Sequence, residues 1–130
     1  MTKSEDIKRE DIKREDIKPE DGGIVWTALP NREEARRIAR ILLAEKLAAC
    51  VQLLDMESHY VWQGAAMAET EVMLLAKTRA ALFESVIARI KALHPYELPE
   101  IVAQPFAAGF APYLTWIADS TDQEHRPGKV

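Results

Sequence analysis

The densest chemistry in this 130-residue chain lies between His94 and Glu100, where an imidazole, a phenol and two carboxylates fall within seven residues. Pro95 and Pro99 stiffen the backbone that carries them. His94 and Glu97 stand three apart around a proline and offer nitrogen and oxygen to a divalent ion such as copper or zinc. The same histidine also suits the end of a helix, where positive charge is favoured. Cys50 supplies a sulfur, although a free cysteine within Leu47-Ala48-Ala49-Cys50-Val51 reads first as a small core residue. Lys77 and Arg79 flank Thr78 and form either an anion-binding pair or a solvated edge. His59 reads as strand packing, and His125 falls in the tail. The sequence holds no Gly-rich phosphate loop, no CxxC, no HExxH and no nucleophile elbow. Ser85 has no histidine at helical spacing. A nucleophile with its base is therefore not expected, nor an enzyme, nor an organic cofactor.

These groups need elements to place them. Pro95 removes a backbone donor and biases His94 away from helical geometry, so the preceding helix stops there. That helix is expected to be capped by Thr78 and carries an apolar stripe at Leu82, Phe83, Val86, Ile87, Ile90 and Leu93. Glu100 to Gln104 reads as a strand closed by Pro105. Upstream, Ile24 to Ala28 is a first strand. Asn31 caps a helix, with Glu34 returning the hydrogen bond, and the helix runs to about Leu47. Ala49 to Leu54 is a second strand, continued at His59 to Trp62 after an irregular break at Asp55 to Ser58. Gln63-Gly64 opens a loop before a third strand from Glu71 to Lys77. Tyr113 to Ala118 forms a short terminal helix, and Trp26, Trp62 and Trp116 read as packing residues.

The order is β-α-β-β-α-β plus a helix, an α+β chain with a ferredoxin-like plan: a long central hairpin and both main helices on one sheet face. The other face is left bare. Strand segments such as Ile24-Val25-Trp26 and Val72 to Leu75 are apolar on both sides, which implies a second copy against the open face or edge.

Three segments follow from composition. Residues 1–23 hold six basic and eight acidic side chains, and Glu-Asp-Ile-Lys recurs every five residues; this reads as a disordered charged extension ending at Gly22-Gly23. Residues 24–119 form the folded domain, and 120–130 a flexible tail. The net charge of −4 and the lack of a basic stripe argue against nucleic acid as a partner. A single cysteine fits a reducing compartment. No apolar run is long enough for a membrane span, and the charged N-terminus does not read as a signal peptide, so a cytoplasmic protein is expected.

Five stretches closely resemble one family: Glu45 to Val51, Tyr60 to Gly64, Glu71-Val72 through Lys77-Thr78, His94-Pro95-Tyr96-Glu97 with Pro99-Glu100-Ile101, and Tyr113 to Ile117. Together they resemble the CutA divalent-cation tolerance proteins over about residues 24 to 121. The resemblance implies a ferredoxin-like subunit in a homotrimer whose long hairpins join copies edge to edge. It further implies a role in tolerance of copper and other divalent ions, and no established enzymatic activity. His94, Glu97 and Cys50 are then the metal-ligand candidates, for Cu(II) or another divalent cation. Some bacterial members bind copper through a strand cysteine and two adjacent histidines; the corresponding positions here are Trp26, Leu93 and His94. The trimer also resembles PII signalling proteins, which implies an alternative: a scaffold whose subunit clefts bind a small anionic ligand or a partner protein through Lys77, Tyr96 and Trp62.

Overall fold

The computed structural model describes residues 17–123. The five-residue repeat up to Asp16 and the chain from Glu124 onward, His125 included, lie outside the described residues. Four strands, β1 (Gly22–Leu29), β2 (Cys50–Trp62), β3 (Ala65–Arg79) and β4 (Ile101–Pro105), form one sheet in the order β2-β3-β1-β4. Every neighbouring pair is antiparallel. Helices α1 (Arg32–Ala44) and α2 (Phe83–Leu93) provide the two crossovers, and α3 (Ala111–Ser120) follows β4. This is the expected ferredoxin-like order.

Side chains alternate across a strand, and the register shows which set is buried. Val25 pairs with Ala76 and Ala103, and Leu74 with Thr27 and Leu53. These residues share the helix-covered face, where Val25, Leu29, Val72, Leu74 and Ala76 pack with Ala35, Ile38, Leu42, Val86 and Ile90 in one core. The hydroxyls of Thr27 and Thr78 lie in the same layer without a hydrogen-bond partner.

The opposite face is not bare, as the sequence suggested. α3 lies over one end of it and buries Leu114 and Ile117. Lys77 sits 5.6 Å from the Tyr113 ring centre. Arg79 donates from Nε to Thr121 Oγ1 at 3.0 Å and from its guanidinium to the Thr121 carbonyl at 2.7 Å. These contacts give Lys77 and Arg79 partners within their own chain. They also correct the start of the tail: Ser120 closes α3 and Thr121 is fully buried. Farther along this face Leu54 and Val102 remain exposed.

Several boundaries move for identifiable reasons. Asn31 Oδ1 accepts from the Glu34 amide at 2.9 Å, as expected of a cap, but the Glu34 carboxylate turns to Arg37 at 2.7 Å instead of completing the box. α1 ends at Ala44 rather than near Leu47 because Lys46 adopts a left-handed conformation (φ 57°). The Leu47 amide then bonds back to the Leu42 carbonyl and the Lys46 amide to Leu43, a Schellman closure sealed by the buried Leu42 and Leu47. Gly22 and Gly23 do not end an extension but begin β1, paired with Arg79 and Thr78. A Cβ on Gly23 would lie 2.4 Å from the Gln104 carbonyl, so only glycine fits between its two neighbouring strands. Thr78 is a buried strand residue and caps nothing; a 3-10 turn, Ala80–Leu82, leads into α2.

The largest correction concerns the hairpin. β2 runs unbroken through Asp55 to Ser58, and β3 starts at Ala65 rather than Glu71. Trp62 faces Ala65 across a two-residue turn, with Gln63 at φ 52° and Gly64 at φ 81°. Positive φ at both centres is the tight turn whose twist matches a hairpin. β1 ends opposite Val72, so the seven pairs from Met56–Glu71 to Trp62–Ala65 project beyond the body as a two-stranded arm. At about 3.4 Å per residue it reaches some 24 Å.

Candidate functional site

The corner between α2 and β4 is where the chemistry converges. α2 stops at Leu93, whose carbonyl accepts from Arg37 at 2.7 Å. Arg37 thus takes the capping role that His94 was free to play. His94 itself is extended (φ −74°, ψ 137°), as the residue before a proline must be.

Both nitrogens of His94 are engaged. Nε2 lies 2.9 Å from the Ala28 carbonyl, one step past the last β1–β4 pair, and Nδ1 accepts from the Tyr96 amide at 3.1 Å. A carbonyl only accepts and an amide N–H only donates, so the ring is the neutral Nε2–H tautomer. No lone pair is left for a metal. Burial lowers the affinity of His94 for a proton, opposed by the Ala28 carbonyl and by the charges of Glu34 and Glu71.

That depression has a direction in pH. The neutral imidazole is favoured in the folded chain relative to the unfolded one, whose value is near 6.5. Its contribution is therefore fully present above pH 6.5 and is lost as pH falls towards the lower folded value. The urea midpoint is expected to drop between pH 7 and 5, and His94→Gln is expected to flatten that dependence. An unchanged slope in the variant would assign the effect to other groups.

Tyr96 continues the chain of contacts. Its ring centre lies 5.0 Å from that of His94. Its hydroxyl donates to Glu71 Oε2 at 2.8 Å, at the base of the projecting arm. Burial and that carboxylate push the Tyr96 phenol far up, so it remains a donor. Farther out, a hydrogen bond with Glu69 raises the Tyr60 phenol. On the other flank the Trp26 indole donates to Glu100 at 3.0 Å. A shallow cleft of about 580 Å³ opens at the same base, lined by Pro30, Asn31, Asp55, Met56, Glu71 and Val72 among others. Arg32 meets Asp55 there at 3.0 Å.

The residues expected to bind metal are not assembled. Glu97 is exposed, and Cys50 is paired opposite Lys77, which faces Ile24. Ile24 is four residues along β1 from Ala28, about 13 Å of strand. Among the described residues no group of three His, Cys, Asp or Glu side chains is placed to hold a metal ion. Trp26 turns its indole to Glu100 and Leu93 packs against the core, so those two positions offer no ligand either.

The anionic-ligand set is also dispersed. Lys77 lies under α3, Tyr96 at the corner and Trp62 at the exposed tip of the arm. The carboxylate of Glu71 beside Tyr96 disfavours an anion there. His59 does not pack in the strand but is exposed, with Nε2 3.1 Å from Glu57. Glu71 and the Ala28 carbonyl went unforeseen. Glu71 lies 25 residues from Tyr96 in sequence, and a backbone carbonyl carries no residue signature.

Comparison with known proteins places this geometry. The CutA1 divalent ion tolerance protein family profile matches residues 23–120. The divalent-cation tolerance protein CutA of Thermus thermophilus is 44% identical over 99 residues, covering 75% of this chain and 96% of that protein. Protein CutA 1, chloroplastic, of Oryza sativa subsp. japonica is 38% identical over 99 residues; the match spans 75% of this chain and only 56% of that longer relative. A solved structure described as the periplasmic divalent cation tolerance protein CutA from Archaeoglobus fulgidus superposes with a TM-score of 0.75 at 38% identity, covering 78% of this chain and 99% of that one. Among the described residues no helix is long and apolar enough to cross a membrane. Fold order, sequence motifs and structural likeness agree: this chain belongs to the CutA1 divalent ion tolerance protein family.

Proposed function

We propose that this chain serves divalent-cation tolerance, copper included, as a homotrimer that acts by binding rather than catalysis. The observation that carries the reading is the arm. A lone two-stranded ribbon is marginal in water, yet this one extends seven pairs past the body with Val61 74% exposed on one face and Trp62 46% exposed on the other. Apolar side chains on both faces of an unsupported ribbon require a neighbouring copy. The family resemblance supplies the number three. Since no single chain gathers a ligand set among its described residues, a divalent cation is held between copies, where Glu97 and Cys50 of different chains become available. A reducing, cytoplasmic location remains our reading of the lone Cys50.

Sedimentation of the full chain at micromolar concentration is expected to give three times the 14.7 kDa chain mass. Calorimetric titration with Cu(II) is expected to show binding by that assembly. A stable monomer, or a trimer that takes up no divalent cation, would each overturn the reading.

A further inference from the structure

The metal-ligand role of the His94 corner does not fit the side chains present, and the misfit points to another role. Three hydrogen bonds run in series: His94 Nε2–H to the Ala28 carbonyl, the Tyr96 amide to His94 Nδ1, and the Tyr96 hydroxyl to Glu71. They begin at the end of β1 and finish on β3 at the first pair of the projecting arm, Met56–Glu71. Pro95 sits between the two ring-bearing residues and limits the backbone freedom of the link.

We infer that His94 and Tyr96 form a clasp tying the end of β1 to the base of the arm, with His94 a positioning residue rather than a metal ligand. β1 ends opposite Val72, so beyond that point the arm has no third strand to hold its angle. The Tyr96–Glu71 bond acts one residue farther out, where a ribbon would first hinge. Holding the ring in a single tautomer sets Tyr96 in turn, because its amide is aimed at Nδ1. A cation on either ring nitrogen would have to break one of these bonds, so ligation and clasping exclude each other. The consequence for assembly rests on the proposed trimer; the clasp itself is a property of one chain.

The test is hydrogen exchange and nitrogen NMR on the full chain at fixed subunit concentration. Tyr96→Phe is expected to speed exchange of amides in residues 56–71 by about tenfold, the equivalent of one lost hydrogen bond, and to leave the strands around Leu74 and Ala76 unchanged. Glu71→Ala, which removes the same bond from its other end, is expected to reproduce that pattern. The wild-type ring is expected to show the Nε2–H tautomer and to keep it with equimolar Cu(II). His94→Gln, whose amide still donates to Ala28, is expected to hold the arm better than His94→Ala. Unaltered arm exchange in both Tyr96→Phe and Glu71→Ala would overturn the inference. So would an Nδ1–H tautomer, or His94 resonances moved by stoichiometric Cu(II). Should wild type sediment as a monomer, the trimer reading falls, and the same exchange pattern in that monomer still decides the clasp.

Discussion

Aspartate at both Val61 and Trp62 is expected to separate the copies of the proposed trimer while leaving each body folded. The two residues occupy opposite faces of the arm near its tip, and neither is buried within its own chain. Burying one such side chain against a neighbour contributes about 1.5–3 kcal/mol, and a buried unpaired carboxylate opposes burial outright. Two substitutions per copy therefore amount to several kcal/mol per contact, with each 1.4 kcal/mol worth tenfold. The subunit concentration for half-dissociation should rise by about a thousandfold or more. Sedimentation across a dilution series reads this directly, with far-UV dichroism confirming that the body is intact. Unchanged association would show that copies meet elsewhere, and the exposed Leu54 and Val102 would be the next surface to test.

Leu74→Ala is expected to produce the largest loss of intrinsic stability, about 3–5 kcal/mol. Leu74 is fully buried in the middle of the helix-covered face, between Leu53 on β2 and Thr27 on β1. Strands on both sides and helices above prevent collapse into the space left behind, which places the cost near the top of the range for such truncations. A domain of this kind has about 5–15 kcal/mol in total. Urea unfolding, compared with wild type at matched chain concentration, should show the lower midpoint with little change in slope. A loss under 1 kcal/mol would mean that the two layers are less closely packed than the register implies.

Much of this fold was legible in the residues because the body has an inside and an outside. The stripe from Leu82 to Leu93 located α2, and Asn31 located the start of α1. The ferredoxin-like plan followed from element order. Legibility failed where that contrast vanishes. Along the arm neither face is fully buried, and Asp55 to Ser58 holds one apolar residue among four, so it resembled a break, although its backbone pairs without interruption. The end of α1 depended on Lys46 entering a left-handed conformation, which no residue type there announces. Thr78 has the chemistry of a cap but sits in the core, because β3 continues past it. The site divides in the same way. His94 and Tyr96 stood out by type and by their prolines. What they do was hidden, because the partners of His94 are a backbone carbonyl and a backbone amide, and that of Tyr96 is a carboxylate from a distant strand.

The turn at Gln63-Gly64 has a consequence for how such a protein changes over generations. Both of its residues are already committed to left-handed backbone, so a single added residue at the tip would have to replace this turn with a longer loop. One extra residue in either strand would either bulge or slip the ladder by a step, exchanging the sides on which Val61 and Trp62 are presented. Matched additions, one per strand, keep both the register and the two-residue turn, and each advances the tip by one residue's rise. Keeping this turn, the projection lengthens or shortens in discrete increments, with the outermost side chains alternating sides at each one.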